Sequence, residues 1–252
     1  MTNNLNSFCD DLYVDMCVNT ELELPAQRDT ILTFFERIQK QYPAMGNFYR
    51  RQESEYCLEE NQNSGRYRWV TLETDRLASG AVNPSDLEQA YELHRFVLDL
   101  APYMLGLSPL DIGSLDLIFA MEFDCPVSHD EVISELVLGS SPFGCFCDLP
   151  QAKTVGFSPA IVVALTEDFH TQARISIESK TSIYDPRKQK NDSEEAIGLS
   201  LTIRQYPHGS EKFLPLDSFA VQCRLAEELL NEKVLPSLVR PLSNLIAQKR
   251  LS

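Results

Sequence analysis

Residues 12–24, LYVDMCVNTELEL, and residues 115–124, LDLIFAMEFD, decide how this chain is built. In the first, Val14, Met16, Val18, Leu22 and Leu24 fall on alternate positions, with Asp15, Asn19, Glu21 and Glu23 between them. In the second, Leu115, Leu117, Phe119, Met121 and Phe123 alternate with Asp116, Ile118, Ala120, Glu122 and Asp124. A side-chain period of two belongs to a strand that buries one face. Pro25 and Pro126 end the two runs, because proline donates no backbone hydrogen bond to a sheet.

Helical spacing follows each break. Ile31, Phe34, Phe35 and Ile38 recur at three and four, which predicts an amphipathic helix over 27–41 that stops before Pro43. Ser128, with Glu131 three residues on, has the spacing of a capping box and predicts a helix through Val132, Leu136 and Leu138. Beyond the first helix, residues 47–60 and 67–73 read as a hairpin bent near Gln52, divided by the turn-forming run 61–65. Asn83-Pro84-Ser85-Asp86 then opens a helix with the stripe Leu87, Ala90, Tyr91, His94, Val97, Leu98 and Ala101. Beyond the second, residues 160–166 and 172–179 read as a hairpin turning at 167–170, and 197–206 as a further strand. A long helix over 216–234 and a last one ending at Lys249-Arg250 close the chain, with Pro236 or Pro241 as the kink between them.

Sliding the chain by 101 residues sets Pro25 on Pro126, Asp29 on Asp130 and Ile31 on Val132, and puts Met16, Val18 and Leu22 on Leu117, Phe119 and Phe123. The expected architecture is therefore α+β, a β-α-β-β-(β)-α unit present twice, with an antiparallel sheet and helices on one face. The expected halves are 1–106 and 107–252, as two units or one continuous domain, the second lengthened by inserts at 139–156 and 181–196. This order resembles the saddle of TATA-binding-protein-like folds, which implies two repeats sharing one curved sheet. The strand 115–124, Pro126, the later hairpin and the terminal helix also resemble a sporadically distributed bacterial family of about 250-residue proteins with no assigned activity. Neither resemblance carries a functional residue across, and a shared fold does not confer a shared function.

Composition narrows the function classes. The 252 residues carry 22 Lys plus Arg against 37 Asp plus Glu, a formal charge of −15, with 43% hydrophobic residues. Residues 1–106 hold 9 basic and 17 acidic side chains and residues 107–252 hold 13 and 20, so the acidity is shared evenly. Such a field disfavours general nucleic-acid binding and docking on anionic membrane. With no apolar leader at residues 1–15, no apolar run of spanning length and seven scattered cysteines, the expectation is a cytoplasmic protein with reduced thiols.

Two constellations are candidates. Arg50, Arg51, Tyr67, Arg68 and Trp69 interleave basic and aromatic side chains on neighbouring strands, which is either cross-strand packing or, if exposed, a surface for an acidic peptide or an anionic ligand. Cys125, His129, Cys145 and Cys147 are the nearest approach to a metal-ligand set, although a one-residue gap between cysteines departs from the usual zinc spacing. No phosphate-binding loop, dinucleotide fingerprint or nucleophile elbow occurs. The reading is a binding or interaction protein that uses a sheet face or the groove between repeats, with a protein or small-molecule partner and no implied cofactor. The alternative is a cysteine- or metal-dependent enzyme built on the second constellation.

Overall fold

In the computed structural model the described residues are 5–52, 55–139, 141–147, 149–151, 153–179, 196–208 and 213–251. The first run forms β1 (Asp11–Thr20) and the second forms β6 (Ile112–Phe123). Between them lie α1 (Arg28–Gln41), β2 (Asn47–Gln52), β3 (Glu55–Glu59), β4 (Tyr67–Leu72), β5 (Arg76–Val82) and α2 (Leu87–Met104). After β6 come α3 (His129–Leu138), β7 (Ala160–Ala164), β8 (Thr171–Ser179), β9 (Ile197–Gln205), α4 (Pro215–Leu229) and α5 (Arg240–Leu251). Among the described residues, nine strands form one antiparallel sheet in the order β2-β3-β4-β5-β1-β6-β9-β8-β7.

The two runs lie side by side at the centre. Leu12 faces Met121, Val14 faces Phe119, Met16 faces Leu117 and Val18 faces Leu115, so both apolar sets point to the same side. These eight side chains are 0–1% exposed. A one-residue slip would turn every one of them to the other face, which fixes the register. Residues 1–106 and 107–252 thus share one sheet.

Helices cover that side. α2 packs on β5 and β1, α4 on β6 and β9, and α3 on β8, while α1 packs against α2. Phe34, Phe35, Leu93, Val97, Phe219 and Val132 meet the strand residues in one core. His94, the polar member of the α2 stripe, is fully buried against the Phe219 ring, with Nδ1 2.7 Å from Ser79 Oγ of β5. Burial holds its imidazole neutral, with a pKa lowered to about 3.

Several local expectations change. Residues 47–60 are not one bent strand: β2 and β3 pair antiparallel with a register shift between Arg50 and Gln52. β5 lies in a segment whose small residues carry no alternation, and it fills the place between β4 and β1. Ser128 begins α3 without a side-chain cap hydrogen bond, so the capping box does not form. Pro236 does not stop the helix, because residues 230–239 pass it in wide i→i+5 turns that bypass the missing N–H and run directly into α5. Of the two expected inserts, 181–196 lies outside the described residues except residue 196. Within 139–156, residues 142–146 form a short 3-10 turn.

Replacing Phe119 by Ala empties the middle of the central pair and is expected to lower the unfolding free energy by about 3–5 kcal/mol. Urea denaturation checks this against Leu110→Ala, where the side chain is 95% exposed and the expected change stays within about 0.5 kcal/mol.

Candidate functional site: the uncovered face of the sheet

No described helix packs on the opposite side of the sheet. Its residues are the odd-numbered ones of β1 and β4 and the even-numbered ones of β6 and β9, since strand side chains alternate between faces. Tyr13, Asp15, Asn19, Tyr67, Trp69, Ile118, Thr202 and Arg204 are all partly exposed there, although they sit on interior strands. An antiparallel sheet tolerates one solvated face, but a solvated face is normally polar throughout, and this one carries large aromatics near its middle.

Gly80 explains how they lie. It pairs with Asp15 on one side and with Trp69 on the other. A Cβ at position 80 would come within 2.3 Å of Asp15 Oδ1 and 2.3 Å of the Trp69 indole. The missing side chain is the space through which Trp69 reaches over β5 to the Asp15 carboxylate. Tyr13 and Tyr67, which share Val82 as their partner, stand one step along the same strands.

Asp15 is the unusual group. Its Oδ1 is buried and accepts no hydrogen bond among the described residues. Burial is the main cause that raises its pKa to about 7, and the guanidinium of Arg76 opposes that rise only in part. Arg76 itself donates from Nη2 to Cys17 Sγ at 3.3 Å and lies 4.0 Å from Glu73. Other charges on this face are matched: Arg204 holds Asp116 through two hydrogen bonds of 2.7 and 2.6 Å, and Arg51 reaches Glu55 at 3.3 Å. Around Asp15 the balance is acidic and aromatic, with Asp11 and Glu122 flanking Tyr13.

Strand alternation divides the first sequence constellation. Arg51, Tyr67 and Trp69 belong to the uncovered face, whereas Arg50 and Arg68 point to the helix side. Arg68 bridges Glu60 at 2.5 Å and stacks over Tyr42 at 4.7 Å, and Arg50 lies over the Tyr56 ring. The five residues therefore do not make one cationic platform, because consecutive residues of a strand point to opposite faces. Arg66 and Arg68 instead border a small pocket of 180 Å³ with Asn83 and Gln89, below the usual range for small-molecule sites.

The second constellation does not converge either. Cys125 is buried, and Cys145 and Cys147 are exposed. Cys145 donates to the Pro142 carbonyl at 3.2 Å, and Cys147 lies 3.9 Å from Thr154 Oγ1. His129 lies with Nε2 3.0 Å from the Cys125 carbonyl and Nδ1 3.1 Å from Ser179 Oγ, so both ring nitrogens are engaged. Burial pushes the thiols of Cys9, Cys17, Cys57, Cys125 and Cys223 upward, which keeps them protonated at neutral pH.

Sequence reading missed a different group. Among the described residues, the ligand-type side chains that gather in a set of three are Asp168, His170 and His208, with donor atoms all within 4.8 Å. Comparison with protein-family models, curated proteins and solved structures returns no match for the chain. Among the described residues, no helix is long and apolar enough to cross a membrane.

The raised pKa makes Asp15 a pH-dependent weakness. Its folded value lies above the unfolded carboxylate value of 3.8, so its contribution is fully present below about pH 4 and is lost as the pH rises through 7. Asp15→Asn is therefore expected to be more stable than the parent at pH 8 by on the order of 2 kcal/mol, and equal to it near pH 4. Chemical unfolding at the two pH values checks this.

Proposed function

We propose that this chain is a binding protein rather than an enzyme, and that the uncovered face of its sheet receives a cationic segment of a protein partner. The observation that carries the reading is the buried, unpartnered Oδ1 of Asp15 under the Trp69 indole. A carboxylate oxygen held out of water without a hydrogen-bond partner is unfavourable, and an ammonium or guanidinium group seated there would relieve it. Trp69, Tyr13 and Tyr67 add π-faces that attract the same kind of group. The overall charge of −15 steers a cationic partner toward the protein.

This replaces the sequence expectation of an anionic ligand, since Arg51 and Arg68 already have acidic partners and Arg50 and Arg68 face the helices. The breadth of a nine-stranded face favours an extended protein segment.

A duplicated unit also belongs to this reading. β1 is flanked by β5, the last strand before α2, and β6 by β9, the last strand before α4. Met16 and Leu117, equated by the 101-residue shift, face each other in the central pair, where a two-fold axis relating the halves would pass. The strand order supports the resemblance to a TATA-binding-protein-like saddle, with an acidic face in place of one suited to phosphates.

Fluorescence anisotropy with a labelled oligo-arginine peptide, an oligo-glutamate peptide and a single-stranded oligonucleotide tests the proposal. The oligo-arginine probe is expected to bind tightest. Its affinity should rise from pH 6 to pH 8 as Asp15 ionises, and should fall at least tenfold in Asp15→Asn and in Trp69→Ala, while Tyr103→Ala at an exposed helix position changes nothing. Preference for the acidic peptide or the oligonucleotide, or indifference to both substitutions, would overturn it.

A further inference from the structure

We propose that Asp168, His170 and His208 form a binding site for one divalent transition-metal ion of the zinc class. Two imidazoles and one carboxylate are the donor set such ions select, whereas calcium and magnesium take oxygen ligands. The site lies at the end of the β7–β8 hairpin, where the backbone N–H of Tyr206 donates to the His170 carbonyl at 2.9 Å and draws the chain after β9 against the turn. His208 arrives by that route.

Local hydrogen bonds hold the His170 ring and the Asp168 carboxylate in place at the turn. His170 Nδ1 donates to the backbone carbonyl of Asp168 at 2.8 Å. A carbonyl only accepts, so the proton sits on Nδ1 and the lone pair on Nε2, which is the outer-sphere arrangement that commonly orients a metal-bound histidine. Asp168 is held by its other oxygen: Oδ1 accepts from Thr166 Oγ1 at 2.5 Å and from the His170 backbone N–H at 3.1 Å.

Separations fit the ion. His208 Nδ1 lies 3.2 Å from His170 Nδ1, 3.4 Å from His170 Nε2 and 3.6 Å from Asp168 Oδ2. A tetrahedron with metal–ligand bonds of about 2.0–2.1 Å has edges of about 3.3–3.4 Å. The separations from His208 Nδ1 come within a few tenths of an ångström of that edge, and all the donor atoms lie within 4.8 Å of one another. Their rings already stand nearly perpendicular, at 86°. Three protein donors leave the fourth position to water or to an exchangeable ligand, as an exposed turn allows. The site is separate from the Asp15–Trp69 region and does not depend on the partner assigned to it.

Isothermal titration of the full-length, chelator-treated protein with zinc chloride tests the assignment, alongside the visible spectrum of the cobalt(II) form. The expected result is one saturable equivalent of zinc and a cobalt band of tetrahedral type with no sulfur-to-metal charge transfer. His208→Ala and Asp168→Asn should each weaken zinc binding at least tenfold, and a Cys145→Ser/Cys147→Ser variant should leave it unchanged. All three side chains are part-exposed, and circular dichroism verifies that the variants fold. The assignment is overturned if the parent protein shows no saturable binding at micromolar zinc, if the His170→Ala/His208→Ala double variant binds as the parent does, or if the cobalt form shows thiolate bands.

Discussion

The antiparallel pairing of β1 with β6 is the constraint on which the rest of the structure depends. Ten residue pairs run from Asp11–Glu122 to Thr20–Ile112, irregular only at the last step. It joins the first 106 residues to the rest, places four large apolar side chains from each strand under the helices, and turns Tyr13, Asp15, Cys17 and Asn19 to the opposite side. The exposed chemistry of the sheet is thus a consequence of the register that builds the core. Moving the pairing by one residue would exchange the two sets, burying three polar side chains of β1 against α2.

The uncovered face differs from an ordinary solvated sheet in where its polarity is compensated. Asp116 and Arg204 satisfy each other across β6 and β9, with Asn19 Nδ2 3.4 Å from the same carboxylate. Toward β4 this pairing stops, and a carboxylate oxygen without a hydrogen-bond partner lies beneath an indole. Gly80 permits this, since any larger residue there would hold Trp69 and Asp15 apart. Ground-state discomfort of this kind persists where the surrounding structure over-determines it.

Where the pattern was strong, the sequence was legible. The alternation in 12–24 and 115–124 and the stripes of α1 and α2 located the core, because each of these elements buries one face and exposes another. β5 was hidden because residues 76–82 are nearly all buried, on one side by His94 and on the other by Trp69, and two covered faces leave no alternation to read. Trp69 and Tyr67 stood out in the sequence beside Arg68 and Arg50, but the division of the four between two faces depends on the strand's facing. The second constellation is not among the sets of three ligand-type side chains that gather in the described residues, since spacing along the chain says nothing about whether Cys125 and Cys145 share a neighbourhood. His170 and His208 are 38 residues apart and meet only through the pairing of β8 with β9, in which Thr171 lies opposite Gln205. Composition signals neither this meeting nor the orphaned oxygen of Asp15.

Trp69 is the single tryptophan of the chain and stands beside the group on which the account turns, so its fluorescence reports directly on that face. Quenching by caesium and by iodide ions of the same ionic strength compares access for a cation and for an anion. If the face is open and locally acidic, caesium quenches Trp69 markedly better than iodide relative to free tryptophan, and the excess shrinks in Asp15→Asn. Equal protection from both ions would mean that the face is covered, and stronger quenching by iodide would mean that it is cationic; either result would contradict the account.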